Sequence, residues 1–269
     1  LYCINNFDAS KIKFYWNKSL FSKMINFSGW NLWTDLAYAL QGQGLNILLG
    51  IFFGPVINAA RGITFQVIGA LNSFVHNFQI AMNPQIIKSF AIGNIQHTQQ
   101  LILRGSKYSF FLLFTLSLPI LIETEMILRS WLNIFPDDTV IFTRLVIIII
   151  LIDSLSGPIT MAVQATGKIK IYQGLTGGLL LLILPVSFLF LKYDFGPEVV
   201  FYVGIIISFI AFFVRLIIMQ ALNLLKIKTF LLEVFFKSLL VLIISFSFAI
   251  FVKLQLNESI LSSLFVIIL

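Results

Sequence analysis

Apolar residues run along this chain in unbroken blocks, Leu145–Leu151, Leu179–Leu184 and Leu239–Ile244 among them, without the strict alternation of a half-buried strand. Breaker clusters separate the blocks: Gly54-Pro55, Phe135-Pro136-Asp137-Asp138, Thr166-Gly167 and Gly196-Pro197. The pattern predicts membrane-crossing helices at roughly 26–53, 55–86, 106–128, 139–165, 171–192, 198–221 and 230–253, with an eighth, cut short, from 259. A hydrocarbon layer of ~30 Å needs about 20 helical residues, and it offers no partners to a backbone N–H or C=O. Spanning segments are therefore helices or a closed barrel, and without alternation they are helices.

Composition agrees. The 269 residues are 59% hydrophobic and only 11% charged, with a mean hydropathy of +0.98, which excludes a soluble globule. The charges also sort by side. Alternate connections carry Lys11, Lys13, Lys18 and Lys23, then Lys88, Arg104 and Lys107, then Lys168 and Lys170, then Lys226 and Lys228. The others carry Glu123, Glu125, Asp137, Asp138, Asp194, Glu198 and Glu258 against Arg129, Lys192 and Lys253. Positive residues gather in the cytoplasm, so the N-terminus and the 88–107, 166–170 and 222–229 connections are expected there. The net charge of +7 thus reads as topology, and its dispersal among the spans argues against a nucleic-acid partner.

Polar residues within the spans carry the chemistry. In the second span Asn58, Arg61, Asn72, His76, Gln79 and Asn83 recur at three- and four-residue spacing, on one helical face. Ser28, Asn31, Asp35, Tyr38, Gly42 and Asn46 do so more loosely in the first span, and the fourth carries Arg144, Asp153, Ser156 and Thr160, plus Gln164 near its cytoplasmic end. A charge at mid-membrane costs about 2.5–3.5 kcal/mol even on the mild insertion scales. Arg61, Asp35 and Asp153 are therefore expected to face a wet, partly cationic cavity between spans one, two and four, or to pair with one another. His76 reads as a packing histidine or a proton carrier. Gly157-Pro158 breaks the fourth span, as a static kink or a hinge for alternating access. Spans five to seven look nearly featureless apart from their ends and Gly174, Gly177 and Gly178, which are expected to admit another helix closely.

No HExxH, CxxC, Walker or GxSxG pattern occurs, and the paired carboxylates Asp137-Asp138 sit where they serve a helix N-terminus. We expect no enzyme, no cofactor and no metal. Cys3 is a lone thiol. Both ends look cut, so a fragment of a longer protein is expected.

Six segments carry a family resemblance: Asn26–Trp33 (NFSGWNLW), Phe52–Thr64 (FFGPVINAARGIT), Asn77–Ser89 (NFQIAMNPQIIKS), Arg104–Lys107 (RGSK), Phe142–Leu145 (FTRL) and Asp153–Gln173 (DSLSGPITMAVQATGKIKIYQ). On these the chain, from about Tyr2 to Lys228, resembles the polysaccharide and O-antigen flippases of the multidrug/oligosaccharidyl-lipid/polysaccharide exporter superfamily. The resemblance implies two six-helix lobes in a V, followed by an extra helix pair. Residues 1–24 would join the lobes, 25–223 form the second lobe, and 224–269 the extra pair with its last helix truncated. The first lobe would be missing, and these residues alone are expected to be inactive. It further implies a bacterial inner-membrane protein that moves undecaprenyl-diphosphate-linked oligosaccharide, in contact with membrane lipids, by alternating access.

Within that resemblance the cargo-facing residues would be Arg61, then Arg144, with Asn58, Asn72, His76, Gln79 and Asn31 around them. Asp35 and Asp153 would couple an ion or pair charges, and Gly157 and Pro158 would bend. A drug or cation antiporter of the same superfamily, working through Asp35 or Asp153, is one alternative. A membrane-embedded glycan polymerase or ligase is another, disfavoured by the short outer loops.

Overall fold

The computed structural model describes residues 16–255, and all of its regular elements there are helical. In order they are α1 (Lys18–Phe53), α2 (Pro55–Ala91), α3 (Ile95–Ile122), α4 (Thr124–Leu132), α5 (Asp138–Ser154), α6 (Gly157–Ala165), α7 (Lys170–Lys192), α8 (Val199–Ala221) and α9 (Ile227–Phe230). A wide turn, Leu231–Phe235, leads into α10 (Phe236–Gln255). Six of these segments are long and apolar enough to cross a membrane: α1, α3, α5 with α6, α7, α8, and α9 through α10. The chain is a multi-pass, all-α membrane protein. The second predicted span forms as α2, whose polar stripe keeps it out of those six. The eighth, from 259, lies outside the described residues, as do Cys3, Lys11, Lys13 and Glu258.

Several boundaries differ from the sequence reading. α1 begins at Lys18, capped by the Asn17 side chain, which accepts from the N–H of Leu20. Residues 18–24 are therefore a helical continuation of the first span. The 88–107 connection shrinks to Ile92–Asn94. Gly93 takes φ +76° to end α2, and Asn94 caps α3 by accepting from the N–H of His97. The amide-rich stretch after Asn94 is helix, and at 37 residues α2 is about 55 Å long, so both pass well beyond a hydrocarbon core. The third predicted span breaks at Glu123, and α4 leaves as a separate short helix.

Packing follows a chain of neighbours: α1 on α7, α7 on α8, α8 on α5, and α5 on α2 and α3, with α10 against α3. The core lies among α2, α3, α5 and α8, where Phe142, Ile147, Leu113 and Phe212 are fully buried and the Phe142 and Phe201 rings lie 4.6 Å apart. Two glycines set close approaches. A Cβ on Gly177 of α7 would lie 2.7 Å from Trp33 Nε1 of α1, and one on Gly105 of α3 would lie 2.6 Å from the Met82 methyl of α2. Of the glycines expected to admit a neighbour, Gly177 does so and Gly174 makes ordinary contact with Trp30. Gly178 faces open space.

Candidate functional site

Three polar clusters are embedded in the bundle. The first lies between α1 and α7. Asn31 and Thr34 stand one turn apart on α1, and Gln173 of α7 bridges them. Gln173 donates from Nε2 to Asn31 Oδ1 (2.6 Å), and Thr34 Oγ1 donates to Gln173 Oε1 (2.8 Å). Each amide so placed meets the hydrogen-bonding demand that lipid would leave open. Beside them a pocket of about 370 Å³ is lined by Asp35 and Tyr38 of α1, Thr160 and Gln164 of α6, Tyr172 and Thr176 of α7 and Arg215 of α8. Tyr172 is buried, its hydroxyl 2.5 Å from Thr160 Oγ1.

Arg215 is the residue the sequence reading missed. It is 7% exposed, and its Nη1 donates to Asp153 Oδ1 at 3.2 Å. Ser208 of α8 donates to the other carboxylate oxygen at 3.5 Å. Asp153 therefore pairs with an arginine, one of the two roles its position implied, though the partner comes from the supposedly featureless span six. Tyr172 and Gln173 stand at the very start of span five. The available signal was Asp153 itself, an intramembrane carboxylate that needs a cation.

The second cluster closes the corner between α1 and α2. Gly54 turns the chain at φ +81°, folding α2 back so that Asn58 and Arg61 reach Asn46. Asn58 Nδ2 donates to the Asn46 carbonyl (3.0 Å), and Arg61 Nη1 donates to Asn46 Oδ1. The Arg61 guanidinium also lies 4.6 Å from the Phe65 ring centre, a cation–π contact. It is 6% exposed, its Nε has no partner, and among the described residues it makes no ion pair. From this corner α1 departs onto α7, and α2 onto α3, α5 and α6. Asp35 and Tyr38 on α1 and Asn72 and His76 on α2 are left exposed.

The third cluster sits at the break between α5 and α6. Pro158 has no N–H to give the Ser154 carbonyl four residues back. Gln79 of α2 supplies the donor instead, with Nε2 3.4 Å from Ser154 O and 3.1 Å from Ser109 Oγ of α3. Gly157 makes room for it, since a Cβ there would collide with the Gln79 amide.

The predicted residues are thus not one constellation. Asn31 and Asp35 line the α1/α7 pocket, and Asp153 pairs with Arg215 of its lining. Asn58 and Arg61 form the corner, and Gln79, Gly157 and Pro158 form the kink. Arg144 stands apart: its Nε donates to Thr124 Oγ1 (3.1 Å), and it borders a separate apolar groove between α3, α5 and α10. Among the described residues no three of His, Cys, Asp and Glu gather as metal ligands would. No protein-family model, curated protein or solved structure matches the chain.

Proposed function

We propose that this chain is a lobe of an inner-membrane flippase that carries lipid-linked oligosaccharide diphosphates outward by alternating access, its N-terminal end in the cytoplasm. Arg61 carries the reading. A guanidinium buried at the α1/α2 corner with a neutral amide for its only hydrogen-bond partner is costly, and an anion arriving beside it would relieve that cost. Phosphate oxygens match its fork, as the diphosphate of such a cargo requires. The exposed flank of α1 and α2, bearing Asp35, Tyr38, Asn72 and His76, would then line the path, completed by a partner lobe of the same protein.

A cation antiporter needs a dominant free acid near its path. Asp153 is tied to Arg215, which leaves Asp35, and the buried Arg61 repels cations. The lipid-linked anion is the better cargo.

The test is complementation. The complete gene carrying Arg61→Ala, introduced into a host lacking its own flippase, should fail to restore surface polysaccharide, and Arg61→Lys should restore it in part. Full restoration by Arg61→Ala would remove the arginine from the mechanism. Drug resistance without any glycan phenotype would favour the antiporter.

A further inference from the structure

Away from these clusters, the turn between α8 and α9 holds a second polar pocket of about 440 Å³. Its lining is Gln99 of α3, Gln220 at the end of α8, and Asn223, Leu225, Lys226 and Lys228 beyond it. No carboxylate lines it. The nearest acid along the chain, Glu233, is already paired with Lys237 at 2.6 Å.

The platform beneath is fixed. α8 ends with Asn223 at φ +56° and the N–H of Leu224 donating to the Met219 carbonyl (3.1 Å), a left-handed cap. Leu224 and Leu225 are buried and anchor the turn. The Gln220 side-chain oxygen accepts from the N–H of Ile227 (3.0 Å), which leaves its amide nitrogen as a donor. Two ammonium groups and three amides therefore border one concave site, and only its Leu225 side is apolar. The turn joins two membrane-length apolar segments, so it lies at the depth of lipid headgroups.

We propose that this pocket binds a phosphate group at the basic membrane face, independently of the transport path. A phosphate diester of an anionic phospholipid and a free phosphate share this chemistry, and basic pockets at the ends of transmembrane helices suit either. Such a site would fix the α8–α10 connection against the interface.

The experiment is thermal unfolding of the purified intact protein in detergent, titrated separately with phosphatidylglycerol, phosphatidylcholine and inorganic phosphate. Phosphatidylglycerol should raise Tm and phosphatidylcholine should not. Lys226→Gln with Lys228→Gln should raise the half-saturating phosphatidylglycerol concentration roughly 10- to 30-fold, the loss expected for two interfacial lysines. Lys226→Arg with Lys228→Arg should retain binding. The control, Lys88→Gln with Lys168→Gln, removes equal charge from the same face and should change it less than about twofold, as for a site that is local and not diffuse.

Stabilisation by inorganic phosphate equal to that by lipid, and lost in the same variant, would support the site and assign it a soluble ligand. An equal shift in the control pair, or no stabilisation by either phosphate source, would overturn the proposal. Transport is not read in any arm, so failure here leaves the transport reading untouched.

Discussion

Gln79 donates from its side-chain amide to the carbonyl oxygen of Ser154, where the backbone N–H missing at Pro158 would have been. The α5–α6 break is therefore held by a residue of another helix, and its stability depends on how α2 sits.

That dependence predicts non-additive effects. Gln79→Ala should cost about 1–3 kcal/mol by leaving the Ser154 carbonyl unsatisfied. In a Pro158→Ala background, which returns the N–H, the same change should cost less, with a coupling of about 1 kcal/mol in a double-mutant cycle read by thermal unfolding. Gly157→Ala, which displaces the amide, should resemble Gln79→Ala. Additive costs would mean that Gln79 does not serve the break.

The Asp153–Arg215 pair gives a second prediction. Asp153→Asn strands a buried guanidinium, while the carboxylate side, 37% exposed, admits some water. We expect a loss of about 1–3 kcal/mol, below the 3–5 typical of a fully buried pair. Asp153→Leu with Arg215→Met should recover most of it, because removing both charges leaves neither unpaired. Unfolding temperatures of the single and double variants decide this.

These two sites also mark what the sequence makes legible. The Gly54-Pro55 break has a local cause, a positive φ, and is legible in the residues themselves, whereas Gly93-Asn94, equally local in cause, is read past because the polar stretch from 88 to 107 resembles one long loop. Asp153 announces a need for a partner, but Arg215 is 62 positions away in α8, and only packing decides which of several cations meets it. Arg144 and Arg61 look alike in sequence. They point to different sides because α5 and α2 present different faces to their neighbours. The short helix α4 is missed for a different reason: a predicted span of 106–128 reads through Glu123 and Glu125, which interrupt the apolar run.

Gly177 and Gly178 are adjacent and chemically identical, yet they should respond oppositely. Gly177→Ala drives a methyl into the Trp33 indole and should destabilise by about 1–3 kcal/mol. Gly178→Ala meets nothing and should be neutral or stabilising by up to about 1 kcal/mol, as alanine is the better helix former. Equal effects of the two changes on Tm would contradict the α1/α7 packing.

The central claim is that Arg61 meets the anionic end of a lipid-linked cargo. Its most direct test is reconstitution of the intact protein in vesicles carrying a labelled undecaprenyl-diphosphate oligosaccharide, with leaflet-to-leaflet movement followed by accessibility of the sugar. Arg61→Ala should slow that movement by roughly tenfold or more, the weight of one charge-assisted hydrogen bond to phosphate. Arg61→Lys should fall between the variant and the parent. A folded Arg61→Ala protein that moves the cargo at the parent rate would contradict the account.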